Sequence, residues 1–156
     1  MIPEAELIRK EFIIRELDTP PSISMTKKSL LRWVCLSLGL ISKNETRDKG
    51  FLVFDSLFNF IFSKKINPTT LDLQASIKEK YNIEMSEKLI RYHLNRIIDL
   101  GLLKRENNKY YINSSPVSEN RNSISESFSE WTKPLVEKEI KKITVKLSEL
   151  EKAYSQ

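Results

Sequence analysis

The sequence contains few of the residues that support covalent or metal-dependent chemistry. Its 156 residues include one cysteine, one histidine and three glycines. Cys35 alone can form neither an intramolecular disulfide nor a cysteine-based zinc site, and its apolar helical setting predicts a buried thiol. His93 has no second histidine and no nearby cysteine as a catalytic partner. Because a glycine-rich phosphate loop and a metal-ligand cluster are also missing, we expect neither an enzyme nor a cofactor.

Long hydrophobic runs are also missing. The longest apolar stretch, "FLVFDSLFNFIF" at 51–62, is interrupted by Asp55 and Asn59. A membrane-spanning helix needs about 20 apolar residues, so this stretch predicts a core helix. The first residues, "MIPEAELIRKEF", are too acidic for a signal peptide. We therefore expect a cytoplasmic protein without a membrane partner.

Charge and hydropathy favour a folded, helix-rich chain with an anionic partner. Hydrophobic residues make up 40% of the chain, which is enough for a core, and charged residues make up 30%. The formal net charge is +5. A basic excess of this size favours a polyanion partner.

Apolar spacing and capping residues predict helices through the first half of the chain. Residues 4–17 show helical spacing, and the prolines of "DTPPS" end that segment. Thr26 is a good N-cap for a helix over 27–38, and Gly39 fits its C-terminal end. After the polar segment "SKNETRDK", a strongly apolar helix covers about 48–63, with a face wide enough to be buried on more than one side.

The second half predicts two more helices and a hairpin. Thr69 or Thr70 caps a short helix that ends at Tyr81, and Ser86 caps the next helix, which Gly101 stops. The β-prone runs "LLKRE" and "KYYIN" meet at two asparagines, Asn107 and Asn108, which tolerate the left-handed backbone of a tight turn. The predicted fold class is therefore mainly α with a small β-hairpin.

These segments suggest four regions. They are an N-terminal helical extension (1–47), a helix-helix-helix-hairpin domain (48–113), a serine-rich flexible linker (114–129) and a C-terminal helix (130–156).

The stretch "SEKLIRYHLNRIIDLGLLKRENNKYYI" resembles the recognition helix and wing of winged helix-turn-helix transcription regulators, of the broad ArsR and MarR type common in archaea. "NPTTLDLQASIKEKYNI" is similar to the helix that precedes them. The likeness covers about 65 of 156 residues. The residues that carry it are Ser86, Ile90, His93, Leu94, Ile97, Leu100, Gly101 and Leu102. The resemblance implies a duplex DNA partner and a role in transcription.

On a helix over 86–100, one face is apolar and the other mixes cations, amides and an aromatic ring. Arginine can pair with guanine and asparagine with adenine, so the polar face suits a DNA groove. The expected DNA-binding residues are Ser86, Lys88, Arg91, Tyr92, Asn95 and Arg96, joined by Lys104, Arg105, Asn107, Asn108 and Lys109 of the wing, 102–113. Lys88, Arg91 and Tyr92 are expected deepest in the major groove, and Asn95 and Arg96 at phosphates. His93, on the edge of the apolar face, is expected to be structural or to contact the DNA backbone. The alternative is a solvated amphipathic helix and hairpin.

The C-terminal helix carries a heptad seam with gaps of 4, 3, 4, 3 and 4. The seam consists of Val136, Ile140, Ile143, Leu147, Leu150 and Tyr154. A single helix cannot bury such a stripe alone, so we expect it to pair with a second copy, with folding back on the N-terminal helices as the alternative.

The leading hypothesis is a homodimeric DNA-binding regulator. The alternative is a winged-helix adaptor, because the apolar segments 30–41 and 51–62, with the N-terminal helix, would form a surface for a protein partner. RNA binding is a third, weaker hypothesis.

Overall fold

The computed structural model describes residues 1–44 and 49–156. Part of the polar segment 42–49 and the predicted boundary between 47 and 48 lie outside the described residues. The helices are α1 (Lys27–Ser37), α2 (Lys49–Phe58), α3 (Thr70–Tyr81), α4 (Glu87–Asp99), α5 (Ile124–Ser127) and α6 (Lys133–Tyr154), and the strands are β1 (Leu103–Glu106) and β2 (Lys109–Ile112). The predicted fold class, mainly α with a small antiparallel hairpin, is confirmed. None of the helices in the described ranges has both the length and the apolar character of a membrane span.

The core lies where α2, α3 and α4 pack against one another. Helix α2, which a π-helical segment (Asn59–Ser63) extends, is apolar around most of its circumference and lies at the centre. Its Val53, Phe54 and Leu57 side chains are fully buried. The neighbouring helices add further fully buried side chains, which are Leu73, Ile77, Ile90, Leu94 and Ile97. Burial of this kind contributes about 1.5–3 kcal/mol for each large aliphatic side chain.

Two helices end in glycine turns of the same type. Gly39 follows α1 with φ +67°, and Gly101 follows α4 with φ +88°. After α1, the Gly39 N–H binds the Leu36 carbonyl at 3.2 Å and the Leu40 N–H binds the Cys35 carbonyl at 2.8 Å. Gly101 and the residue after it repeat this pair of bonds at the end of α4. This is the Schellman arrangement, in which a left-handed glycine satisfies the last helical carbonyls. Both glycines were predicted as helix ends.

The helix predicted over residues 4–17 is wrong. Only a short 3₁₀ turn, Pro3–Leu7, forms there, and the chain then runs irregularly to a second 3₁₀ turn, Pro21–Met25. This N-terminal segment, residues 8–20, lies against the end of α1. The backbone N–H of Arg15 binds the Ser37 carbonyl at 2.9 Å. Its guanidinium donates to the carbonyls of Leu36, at 2.8 Å, and Ile41, at 3.1 Å. Contacts with another part of the chain outweigh the helical spacing of the apolar residues.

A carboxylate joins α2 to α3. Asp55 accepts the Lys80 ammonium at 2.9 Å and the Tyr81 hydroxyl, both from the last turn of α3. The hydrogen bond to Asp55 raises the pKa of Lys80 above its usual value. Burial, followed by the same carboxylate, raises the pKa of Tyr81. The lysine is therefore held charged and the phenol neutral across the physiological range.

The prediction of a flexible linker at 114–129 is also wrong, because part of this region is helical. Helix α5 lies inside it, and a π-helical segment (Phe128–Thr132) continues α5 into α6. Ser127 and Thr132 are fully buried, and Thr132 Oγ1 donates to the Leu100 carbonyl at 2.6 Å. The π segment ends two residues before Pro134, which lacks the N–H that a regular α-helix would use there. The C-terminal helix therefore starts earlier than residue 130 and is attached to the core.

Replacing Gly39 by alanine tests the turn that ends α1. A Cβ there would lie 2.6 Å from Ile13 Cβ, and the residue has φ +67°. We expect Gly39→Ala to lower the free energy of unfolding by about 1–3 kcal/mol, measured by urea denaturation. Part of this cost is steric, so it should shrink in an Ile13→Ala background.

The matched control is Asn82→Gly. Asn82 already has φ +55°, and glycine adopts that conformation without strain. Its unfolding free energy should stay within about 0.5 kcal/mol of the original chain. Equal effects from the two substitutions would mean that Gly39 is not under conformational constraint.

Candidate nucleic-acid interface

Helix α4 has one buried and one exposed face. It begins at Ser86, whose hydroxyl accepts the Leu89 N–H at 3.1 Å, and Glu87 lies in the positively polarised first turn. Residues at helical spacing face the core, and they are Ile90, His93, Leu94 and Ile97. Because this face is buried against α2 and α3, the orientation of the opposite face is determined by the core.

Four of the predicted α4 residues form one outward stripe. Lys88, Arg91, Tyr92 and Asn95 follow the i, i+3, i+4, i+7 spacing of a single helix face. Lys88 and Asn95 are exposed, and Tyr92 is 57% exposed, which is unusual for a large aromatic side chain. Arg91 is half-buried and pairs with Glu87 at 3.6 Å. An exposed pair of this kind contributes about 0.3–0.5 kcal/mol, so a phosphate or base can displace Glu87 at little cost.

The structure places Arg96 differently from the prediction. Its guanidinium reaches across to the turn after α1, where it donates to the carbonyl of Leu40 at 2.8 Å and to that of Gly39. Arg96 occupies the margin between the two faces of α4, and a long side chain can follow either. The two carbonyls occupy donors that a phosphate would need, so we remove Arg96 from the candidate set.

His93 lies in the contact between α2 and α4. It is 6% exposed, and its ring is edge-on to Phe54 at 6.3 Å and to Tyr92 at 5.1 Å between centroids. A Cβ on Gly50 would come within 3.1 Å of its Nδ1. The close approach of α2 to α4 at Gly50 therefore depends on the position of this ring. Such burial fits a structural role and leaves the ring little access to a DNA backbone.

The hairpin extends beside α4. Leu103 pairs with Ile112 and Glu106 with Lys109, and the two linking asparagines have φ +51° and +65°, as a two-residue hairpin turn requires. Arg105 donates to Asn108 Oδ1 at 3.4 Å, and Lys104 pairs with Glu106 at 3.3 Å. The predicted tip residues Asn107 and Asn108 are exposed, and so is the predicted wing cation Lys109. The turn geometry predicted from the asparagines agrees with the structure.

Two polar residues that the sequence did not single out, Tyr110 and Gln74, hold these parts together. Tyr110 is 1% exposed, and its hydroxyl shares a 3.0 Å hydrogen bond with Thr70 at the start of α3. The Tyr110 N–H also binds the Pro68 carbonyl at 2.9 Å. Gln74 Nε2 donates to the Met85 carbonyl at 2.9 Å, which fixes the turn between α3 and α4. Their only sequence signal is a polar group inside an apolar pattern.

The resulting surface is moderately cationic. Five cations remain on it, namely Lys88, Arg91, Lys104, Arg105 and Lys109, against three carboxylates, those of Glu87, Asp99 and Glu106. Two of the cations are paired with carboxylates, so three have no carboxylate partner in the described ranges. The described residues contain no cluster of three acidic, histidine or cysteine side chains that would hold a metal ion. The surface therefore offers cations, amides and an aromatic ring.

No protein-family model, curated protein or solved structure matches the chain. The geometry of its own residues is therefore the basis for assigning a function.

The reassignment of Arg96 predicts an effect on stability. Arg96→Ala removes charged hydrogen bonds to two buried carbonyls, so the free energy of unfolding should fall by about 1.5–3 kcal/mol. Arg91→Ala is the matched control, since it removes the same side chain from an exposed ion pair and should cost about 0–0.5 kcal/mol. Urea denaturation of both variants measures the difference. A loss for Arg91→Ala as large as that for Arg96→Ala would contradict the assignment.

Proposed function

We propose that the chain is a homodimeric DNA-binding transcriptional regulator of winged helix-turn-helix type, with 48–113 as its reading domain. The observation that carries the proposal is the outward stripe of α4, where Lys88, Arg91, Tyr92 and Asn95 face away from the core. Helix α3 precedes it through a short turn, and the hairpin follows it directly. In this order a helix of duplex-reading size lies beside a hairpin whose strands carry three cations, Lys104, Arg105 and Lys109.

In this proposal α4 enters the major groove. Residues near its N-terminal half, Lys88, Arg91 and Tyr92, reach deepest, and an arginine can donate two parallel hydrogen bonds to guanine. Asn95, one turn further along, contacts phosphate. The hairpin residues Arg105 and Lys109 contact the adjacent backbone or the minor groove.

The partner copy is proposed from α6. Four seam residues, Ile140, Ile143, Leu147 and Leu150, are each 51–58% exposed. The first half of α6 shares an open groove with Leu7, Ile8 and Phe12 near the N-terminus. On the α6 side its apolar lining is Leu135, Val136, Ile140 and Ile143. Even beside this groove Ile140 and Ile143 stay more than half exposed, and Leu147, Leu150 and Tyr154 lie beyond it, so folding back covers the stripe only in part.

A second copy of α6 would cover the stripe. The heptad spacing is that of a self-pairing helix, and charges at the flanks are complementary. In a parallel pair, Lys146 would face Glu151 of the second copy. Two copies also present two reading helices about a two-fold axis, as two DNA half-sites require.

The adaptor alternative depended on an apolar surface at 30–41 and 51–62. The side chains of Phe51, Val53, Phe54, Leu57 and Ile61 are buried, so most of that surface is core. The N-terminal helix that was to complete it is not formed. DNA binding is therefore the better-supported proposal.

The binding prediction concerns random duplex DNA at several salt concentrations. If about four cations per protomer meet phosphates, a dimer should give a log–log salt slope near −7, at about −0.9 per contact. Lys88→Gln with Arg91→Gln should weaken binding, and Arg105→Gln with Lys109→Gln should in addition reduce the slope by about 0.9 for each lost phosphate contact. Fluorescence anisotropy measures both quantities.

The control for charge alone is Lys141→Gln with Lys152→Gln, two exposed positions on α6 with the same change in net charge. This variant should bind like the original chain. An absence of binding at about 50 mM salt, or an equal loss in the control, would refute the proposal and favour the adaptor.

The dimer prediction uses two equally exposed side chains of α6. Ile143 on the seam and Val145 off it are both 58% exposed. Ile143→Ser with Leu147→Ser should convert the dimer to a monomer in sedimentation velocity, because the paired stripe loses its apolar contacts. Val145→Ser should leave the dimer intact. A monomeric original chain, or a dimer that survives the seam substitutions, would rule out self-pairing through α6.

A further inference from the structure

A second charged surface lies away from α4 and the hairpin. It is a groove of about 910 Å³ between α1, α2 and the end of α3. Five cations line it, namely Lys27, Lys28, Arg32, Lys49 and Lys80. This is as many cations as the candidate DNA surface carries, although nothing in the sequence pattern brings these residues together.

The groove also has an apolar floor. Phe51 and Leu52 of α2, Tyr81 at the end of α3 and Ile83 after it provide that floor. The Arg32 guanidinium lies 5.3 Å from the centre of the Phe51 ring, a cation–π contact that holds the charge at the edge of the floor. Exposed cations therefore stand directly beside an apolar surface.

The carboxylates of the groove are already engaged. Asp55 binds Lys80 at 2.9 Å as well as the Tyr81 hydroxyl, and Glu84 pairs with Lys78 at 3.5 Å. Lys80 is thereby satisfied. The other four cations of the groove have no carboxylate partner within residues 1–44 and 49–156. Among the described residues that line the groove, five cations stand against two carboxylates, so positive charge is in excess there.

Fold stability does not explain these cations. Lys27 and Lys28 lie in the first turn of α1, which contains no acidic residue. The N-terminal end of a helix carries partial positive charge, so lysines there reduce helix stability. Their grouping with Arg32 and Lys49 around one cavity is explained if an anion occupies it.

We propose that this groove binds a phosphorylated organic molecule. The unpaired cations receive the phosphate, because a dianion matches their charge, and Arg32 can hold two of its oxygens. The apolar part of the ligand lies on Phe51, Leu52 and Ile83. The volume is within the range of small-molecule sites, about 300–1,000 Å³. No lining residue comes from α4 or the hairpin, so the proposal is independent of DNA binding.

The test uses 1-naphthyl phosphate as the probe, titrated into the full chain by calorimetry. Inorganic phosphate and 1-naphthol are the comparison ligands. The first carries only the phosphate group, and the second carries only the apolar ring. We expect the naphthyl phosphate to bind more tightly than either, and Lys28→Gln with Arg32→Gln to weaken it about tenfold or more. Lys27→Gln with Lys49→Gln is a second variant at the same site, in case the first does not fold.

The control Lys141→Gln with Lys152→Gln changes the net charge equally and should keep the affinity. Equal binding of naphthol and naphthyl phosphate, or an equal loss in the control, would overturn the proposal. A competition arm adds duplex DNA. Displacement of the probe, together with duplex binding weakened by the groove variants, would make the groove a DNA-backbone contact and also overturn the proposal.

Discussion

The fold depends on satisfying the carbonyl groups at two buried helix ends. The last carbonyls of an α-helix have no partner within the helix, and a buried carbonyl without a partner costs about 1–3 kcal/mol. At the end of α1, Arg15 and Arg96 approach from distant parts of the chain and bind four carbonyls. One is that of Leu36 in the last turn of α1, and three are those of Gly39, Leu40 and Ile41 in the turn after it. At the end of α4, Thr132 binds the Leu100 carbonyl and Asn113 that of Gly101.

These bonds connect the N-terminal segment, α4 and the start of the C-terminal helix to the central core. The guanidinium of Arg96, in the last turn of α4, joins that helix to the turn after α1, while the hydroxyl of Thr132 joins the C-terminal helix to Leu100 directly after α4. The exposed stripe of α4 thus belongs to a helix attached to two separate parts of the chain. Because neither glycine has a side chain, a neighbouring residue packs directly against the backbone of each turn. A Cβ on Gly101 would approach Trp131 Cβ to 3.0 Å, as a Cβ on Gly39 would approach Ile13.

The parts of the fold that the sequence predicted correctly are those with local causes. Thr26, Ser86, Gly39, Gly101 and the two hairpin asparagines act on backbone groups within a few residues, so their roles can be read from short patterns. The helix predicted for the N-terminal segment was wrong because the conformation of that segment follows from hydrogen bonds to α1, which helical spacing does not reveal. The phosphate contact predicted for Arg96 does not fit the structure for a related reason. The position of a residue on a helix gives the direction of its Cα–Cβ bond, but it does not say where a long side chain ends.

The serine-rich region illustrates how composition misleads. Small hydroxyl side chains are typical of flexible linkers, but they also fit closely against a core and bind backbone carbonyls. Ser114, Ser115 and Ser127 are buried, and Trp131 Nε1 reaches the Ser114 carbonyl at 3.2 Å. This packing changes what a dimer of the proposed kind would do. A flexible linker would leave the distance between two reading helices undefined, whereas an anchored, continuous helix would fix it. The separation of the two DNA half-sites would then follow from the geometry of the α6 pair, near one helical turn of DNA, about 34 Å, or a multiple of it.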